Sequence, residues 1–472
     1  MHSKFLQLIV FICTVMFGQF VFAATTFAAE GDLIWAKTIN PSASGSYFDI
    51  AEAVVTDGTG VYVAGYDSSP GLNAQWRIEK RSLDTGALIW TYTNNFSSAE
   101  DRALAIAIDG TGVYVAGFSG SQWRIEKYSL ATGALLWTQP RSFVGTYYIQ
   151  AFAIAVDNTG VYVAGTYGPG AAGVYAARIE KVSTSTGANI WTQVDPVNYT
   201  VPYALAVNAT GLYVAGDGQG ATPWRIQKRS TSNGAIIWEQ KIKIIALFDV
   251  PTAIAVDNTS VYALGPVDGY DNGEGISYKS WRIEKRTNSD GTMPAGTWAV
   301  TTPVYDAPDY KEFGGIAVDS SGVYDVINDH IPGLYEWRIE KRNLSTGSIL
   351  LTKLSDPSTN SDYACGIAVD GSGTYIVGDD IIPGNFEWRI EKRSKGVCAG
   401  PVAISWTDPT ITANSTKIRK VHIDELRTAI GQVYVACGQV APTWTDPTIT
   451  ANSTKIRKVH IDELRSAVSN AQ

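Results

Sequence analysis

The chain is sparing with residues that do covalent chemistry. Its 472 residues include four histidines and four cysteines. With His2 and Cys13 in the N-terminal segment, His330, His422, His460, Cys365, Cys398 and Cys437 remain. His422 precedes Glu425 by three residues, as His460 precedes Glu463, so each imidazole would lie one helical turn from a carboxylate. Two donors do not complete a zinc shell, and no metal is expected there. Asp268 to Glu274 has oxygen donors and glycines but lacks the spacing of a calcium loop. Gly-x-Ser-x-Gly, phosphate-loop, His-Glu-x-x-His and Cys-x-x-Cys motifs are missing from the sequence, and no cofactor is expected. What remains is a set of aromatics and carboxylates in the most variable segments: Tyr147, Tyr148, Tyr167, Tyr175, Tyr199, Tyr270, Tyr305 and Tyr310 with Asp101, Asp195, Asp306, Asp309 and Asp362. Such a mixture suits a sugar or a peptide. Two of the carboxylates at glycosidase separation would instead suit hydrolysis.

The elements that must position these residues repeat. Trp-Arg-Ile-Glu-Lys begins at Trp76, Trp123, Trp281, Trp337 and Trp388, with variants at Ala177 and Trp224, giving copies 47 to 57 residues apart. Before each copy stand two apolar segments around a tight turn, as in Ala105–Ile108, Asp109–Gly112 and Val113–Gly117. The Asp or Asn that opens the turn (Asp57, Asp109, Asp157, Asn208, Asp257, Asp319, Asp370) can bond its own backbone. The Gly three residues later is expected to supply positive φ, so the turn at Ser260 should need another geometry. After each copy comes Thr-Gly-x-x-x-Trp, ending at Trp90, Trp137, Trp191, Trp238 and Trp298, with Leu351 in the sixth copy. Four strands, A to D, in about 50 residues mark a propeller blade.

The count carries an offset. The seventh copy ends at Ser394 with no D strand after it, while Gly31-Asp32-Leu33-Ile34-Trp35 stands ahead of the first A strand. A closed ring resolves this: an all-β, seven-bladed β-propeller over residues 30–395, closed by its N-terminal strand, which leaves no exposed edges at the joint. The arginines of strand C (Arg77, Arg124, Arg178, Arg225, Arg282, Arg338, Arg389) are expected to pair with neighbouring acids and stitch blade to blade. A–B and C–D turns are short. Length collects in the B–C and D–A loops, which open on one face of a propeller, and a ligand face is expected there.

These repeats resemble the blades of secreted bacterial β-propeller proteins, through Ala253-Ile254-Ala255-Val256-Asp257 and Val113-Tyr114-Val115-Ala116-Gly117. The resemblance implies the fold and leaves function open, since propellers host many activities. Thr85-Gly86-Ala87-Leu88-Ile89-Trp90 also looks like a strand of quinoprotein dehydrogenase propellers. Those typically have eight blades and often a vicinal cysteine pair, and this chain has neither.

Residues 1–29 read as an export signal: Lys4, an uncharged apolar run from Phe5 to Phe22, and small residues around Ala23. A secreted or cell-surface protein with no membrane span after cleavage is therefore expected. The net charge of -8 opposes nucleic-acid binding. Residues 396–472 form a small α-containing tandem module, units 399–436 and 437–472, because Trp406–Arg427 and Trp444–Arg465 are identical. The repeat is similar to short C-terminal repeats of secreted bacterial surface proteins. Ile418, Val421, Leu426, Ala429, Ile430 and Val433 follow helical spacing. Lys417, Arg419 and Lys420, repeated as Lys455, Arg457 and Lys458, are expected to meet an anionic partner. Cys398 and Cys437 flank one unit and are expected to form a disulfide, leaving Cys365 buried. The leading expectation is a non-catalytic binding or display protein for a glycan, peptide or cell-wall polymer. An extracellular carbohydrate-active hydrolase or lyase using loop-face carboxylates is the alternative, and a self-associating structural subunit the third.

Overall fold

The computed structural model describes residues 28–42, 48–68, 73–143, 149–168, 175–198, 200–218, 224–243, 249–268, 279–293, 295–304, 314–331, 334–382, 385–395, 420–436, 444–445 and 463. The strands gather in one compact unit, Leu33–Ser394. They form seven four-stranded antiparallel sheets. Six sheets take their strands in chain order, for example Ile50–Thr56, Val61–Asp67, Gln75–Arg81 and Leu88–Asn94 in blade 1. The seventh is joined from both ends: Tyr363–Asp370, Gly373–Ile382 and Asn385–Arg393 are completed by Leu33–Ile39. That last strand pairs antiparallel, Leu33 opposite Arg393 and Thr38 opposite Arg389. The A strands contact one another from blade to blade and return from blade 7 to blade 1. The ring is closed.

Strand B is the most enclosed strand, and Val61–Asp67 is buried along its whole length. The closing Gly of its Val-Tyr-Val-Ala-Gly is fixed by sterics. Strand A carries a bulge, between Ala103 and Ala105 in blade 2, that thrusts a carbonyl inward. A Cβ on Gly117 would lie 2.0 Å from the Arg102 carbonyl oxygen. Only glycine fits.

The A–B turns form as expected. The Asp57 carboxylate accepts from the Thr59 and Gly60 amides at 2.8 and 3.1 Å and from the Tyr62 hydroxyl at 3.0 Å. The glycine closing these turns serves another purpose than positive φ, which Gly60 and its equivalents do not adopt. A Cβ there would meet the aliphatic stem of the strand C lysine, 2.5 Å from Lys80 Cε. Ser260 accordingly keeps the turn geometry, its amide donating to Asp257 at 2.7 Å. Positive φ appears instead at Gly58 inside the first A–B turn and in the C–D turns, at Gly86, Gly133, Gly187, Gly234, Gly291 and Gly347.

Blade-to-blade stitching falls to lysine and tryptophan. Lys127 Nζ donates to the Thr184 carbonyl in the C–D turn of the next blade at 2.9 Å, and Trp137 Nε1 donates to the same oxygen at 3.1 Å. The pairing recurs with Lys80 and Trp90 on Leu130, and with Lys181 and Trp191 on Thr231. Lys228 and Trp238 share Asn288, and Lys285 and Trp298 share Leu344. At the joint, Lys392 and Trp35 share Leu83. Each of these ammonium groups also lies over a strand B tyrosine, as Lys127 lies 5.0 Å from the Tyr114 ring centre. The strand C arginines pair mainly inside their own strand, two residues on: Arg77 with Glu79 at 2.5 Å, Arg124 with Glu126 at 2.7 Å. Cross-blade arginine pairs are local, such as Arg141 with Glu180 at 3.1 Å.

In the rest of the chain, a helix runs over Lys420–Ala436 and buries Ile423, Arg427 and Ile430 along one face. Arg427 lies 3.6 Å from Glu463 and 4.9 Å from the centre of the Trp444 ring, so the first unit of the tandem repeat touches the second. Among the described residues no helix is long and apolar enough to cross a membrane.

Candidate functional site

The B–C and D–A loops meet at one end of each blade. The Asp101 amide, at the start of strand A in blade 2, donates to the Ala74 carbonyl just before strand C of blade 1 at 2.9 Å. Asp362 binds the Tyr335 carbonyl in the same way between blades 7 and 6. At the opposite end, six residues separate strands C and D in blades 1, 2, 3, 4 and 6. Blade 5 departs from this, with ten residues between Thr287 and Trp298. In blades 6 and 7 strand B runs to ten residues, Gly322–Ile331 and Gly373–Ile382, extending the hairpins on the B–C and D–A loop face.

The sequence-derived carboxylates are enclosed there. Asp101 is fully buried and accepts from the Phe96 and Ser97 amides and the Ser97 hydroxyl. Asp362 is fully buried and accepts from the Ser358 and Ile381 amides and the Ser358 hydroxyl. Burial pushes its carboxyl up to about 6 against those hydrogen bonds. Asp195 is buried and ion-paired with Arg225. Asp49 does the same work as Asp101 and Asp362, holding the Ser42 and Ser68 amides while burial raises its pKa. These aspartates brace the loops from below. Tyr167 is half-buried, 5.9 Å from the Phe143 ring and 5.8 Å from the Arg178 guanidinium, and Tyr175 is half-buried beside strand C of blade 3. Tyr147, Tyr148, Tyr199, Tyr270, Tyr305, Tyr310, Asp306 and Asp309 lie outside the described residues. So do Cys398, Cys437, Lys417, Arg419, Lys455, Arg457 and Lys458, while Lys420 begins the helix. Cys365 is buried against Ile50 and Tyr66.

Aromatic groups that the residue list missed stand at this end of blades 6, 7 and 1. The Tyr335 and Tyr363 rings lie 5.1 Å apart, and those of Phe48 and Phe386 lie 4.6 Å apart with Phe48 half exposed. The sequence carries a signal for two of them, the aromatic-Glu-Trp that opens strand C as Tyr335-Glu336-Trp337 and Phe386-Glu387-Trp388. Carboxylates crowd the pairs. Glu336 is held above the usual range by burial and then by Asp356 and Asp329, and Glu387 by burial with Asp380 and Asp49 adding to it. The arrangement joins tilted ring pairs, 34° and 33° between planes, to carboxylates that resist ionising. It is suited to polyols or cations.

Together these features define a seven-bladed β-propeller with aromatic pairs at one end of blades 6, 7 and 1. No family model matches the chain, and no curated protein matches it. Among solved structures, the WD40 β-propeller domain of Doa1 is 11% identical, covers 78% of this chain and 98% of its own, and superposes with a TM-score of 0.44. The quinohemoprotein alcohol dehydrogenase of Comamonas testosteroni is 11% identical over 90% of this chain and 84% of its own, at 0.43. The quinohemoprotein alcohol dehydrogenase ADHIIG of Pseudomonas putida HK5 gives 11%, the same coverage and 0.42. Likenesses this distant leave function to the site itself.

Proposed function

We propose that the chain is a secreted or cell-surface binding protein that holds a glycan on its B–C and D–A loop face without chemically altering it. The observation that carries the reading is the two aromatic pairs, Tyr335 with Tyr363 and Phe48 with Phe386, with Glu336 and Glu387 next to them in sequence at one end of adjoining blades. An aromatic face offers flat apolar area to the C–H face of a sugar ring, and carboxylates accept from hydroxyl groups beside it. The lysine–tryptophan seams give the loops a rigid base, which lowers the ordering cost of binding. The tandem module serves attachment through its basic clusters.

The test is a glycan and cell-wall polymer array, run on the full chain and on Phe48→Ala/Phe386→Ala and Tyr335→Ala/Tyr363→Ala variants. The expected result is one ligand class retained by the wild type and weakened tenfold or more by either double substitution. Binding that both variants keep intact would remove these rings from the site. Turnover of a bound glycan would replace the binding reading with the hydrolase or lyase one.

A further inference from the structure

Two departures from the blade pattern meet in one cleft, between blades 3 and 4. The first is Ala177, where the other six blades place tryptophan. Three of those indoles, Trp123, Trp337 and Trp388, cross into the next blade and lie over its strand B glycine. Trp123 Cζ2 would be 2.8 Å from a Cβ on Gly165, and Trp388 Cζ2 3.0 Å from one on Gly65. In blade 3 the indole is missing, and a cleft opens between Ala177 and the corresponding glycine, Gly216. Its space is about 330 Å³ counted out to the open mouth, of which only a small part is enclosed. Val201, Pro202 and Ile179 give it apolar walls.

The second departure is Gln227, where the other blades place glutamate. In blades 1 and 7 that glutamate pairs with the arginine two residues on, Glu79 with Arg81 and Glu391 with Arg393, each at 2.6 Å through Nη2. Here Arg229 Nε donates to the neutral Gln227 amide oxygen at 2.8 Å and Nη1 to the Gly234 carbonyl at 2.9 Å. Among the described residues no carboxylate lies within ion-pair distance of Arg229. Asp195 and Asp217 also line the cleft; Asp195 pairs with Arg225, as does Glu239, which accepts from the Gln227 amide nitrogen at 2.6 Å as well. Arg229 is 7% exposed and lines the cleft. Burial and then the neighbouring Arg225 push its pKa down to about 10, against the opposing pull of Asp195 and Glu239.

We propose that this cleft is a binding site for a small aliphatic carboxylate, whose chain fills the space left by the missing indole and whose carboxylate takes the place of the missing glutamate on Arg229. Gln227 holds Nε and Gly234 holds Nη1, so the nitrogen left for a carboxylate is Nη2, which the glutamates of blades 1 and 7 also engage. The enclosed part is too small for a ring system, which limits the ligand to a short chain. The site lies in a blade seam and does not depend on the aromatic pairs of the loop face.

The sister blades supply the test. Ala177→Trp restores the indole. Gln227→Glu/Glu239→Thr restores the glutamate together with the threonine found beside it in blades 1, 2 and 3 (Thr91, Thr138, Thr192). Acetate, butyrate and hexanoate, each with its neutral amide, are titrated into the full-length protein and followed by thermal shift and ligand-observed NMR. Expected is saturable binding of one chain length, at least tenfold tighter than its amide, and abolished in both restored variants. Equal binding of acid and amide, retention in the Gln227→Glu/Glu239→Thr variant, or no saturable response to any chain length would overturn the proposal. If Ala177→Trp fails to fold, the Gln227→Glu/Glu239→Thr variant decides alone. The Phe48→Ala/Phe386→Ala variant is expected to bind the carboxylate normally, which separates failure of this site from failure of the loop-face reading.

Discussion

Trp35 lies close to the start of the described residues, where truncation to alanine would normally cost little. In the ring it closes the joint. Its side chain is 9% exposed, Nε1 donates to the Leu83 carbonyl of blade 1 at 3.0 Å, and the positive-φ Gly86 packs under the indole. Emptying a buried tryptophan site costs about 3–5 kcal/mol. The lower end applies here, because Lys392 Nζ still donates to Leu83 and the carbonyl is not orphaned. Over the roughly 360 residues of Leu33–Ser394, at about 2.1 cal/mol/K per residue of unfolding entropy, about 3 kcal/mol lowers the melting temperature by roughly 4 °C. Trp35→Ala is therefore expected to melt roughly 4 °C lower by near-ultraviolet circular dichroism. Trp90→Ala, at the same position of blade 1 and 8% exposed, should match it. Ile34→Ala, 44% exposed in the same strand, should change stability by no more than about 0.5 kcal/mol. A Trp35→Ala protein that melts with Ile34→Ala and not with Trp90→Ala would refute closure through this strand.

Two further outcomes follow from the geometry. Gly117→Ala sets a methyl against the Arg102 carbonyl and should cost about 3 kcal/mol or more, whereas Gly110→Ala meets nothing within 4 Å and should stay within about 0.5 kcal/mol in the same melts. Asp362 adds a pH dependence. Its folded pKa is raised to about 6 from 3.8, so the folded state keeps a proton that the unfolded chain releases. The resulting stability is complete below pH 4 and is lost as pH rises through 6, a change on the order of 3 kcal/mol. Asp362→Asn should flatten the stability profile between pH 4 and 7, and an unchanged slope would show that this carboxyl titrates normally.

The architecture was legible because propeller blades write themselves in sequence at a fixed period: the seven Arg-Ile-Glu/Gln-Lys strands and the unmatched Gly31–Trp35 segment give blade number and closure together. Side-chain roles were less legible. Gly60 and Gly112 look like turn glycines, yet their lack of a Cβ makes room for Lys80 and Lys127, a contact between strands that pair only after folding. Asp101 and Asp362 read as open loop acids because a capping aspartate and a ligand-facing one have the same local sequence. The distinguishing signal was position. Asp49, Asp101 and Asp362 stand at or next to the start of strand A, Asp249 stands four residues ahead of its own, and all four are fully buried. Tyr335 and Phe386 were hidden by their regular place in strand C, and only the lengthened hairpins of blades 6 and 7 reveal which face they join.

The joint also explains a residue far from it. Six D strands carry the tryptophan that donates to the next blade's C–D turn, but the D strand of blade 6 carries Leu351. The next blade is the seventh, and it has no C–D turn. Its C strand ends at Arg393, and its D strand arrives from the other end of the chain at Leu33. A tryptophan at 351 would point its N–H toward a turn that does not exist, and an unsatisfied buried donor costs about 1–3 kcal/mol. Leucine keeps apolar volume and brings no donor. The break in the ring is thus recorded twice, once as a strand moved to the N-terminus and once as a tryptophan absent from the blade that would have reached across the gap. Ala177 and Gln227 break the pattern in blades where the backbone is continuous and every turn is present. Closure gives no reason for them, and the cleft they share is where a different selective pressure has to be sought.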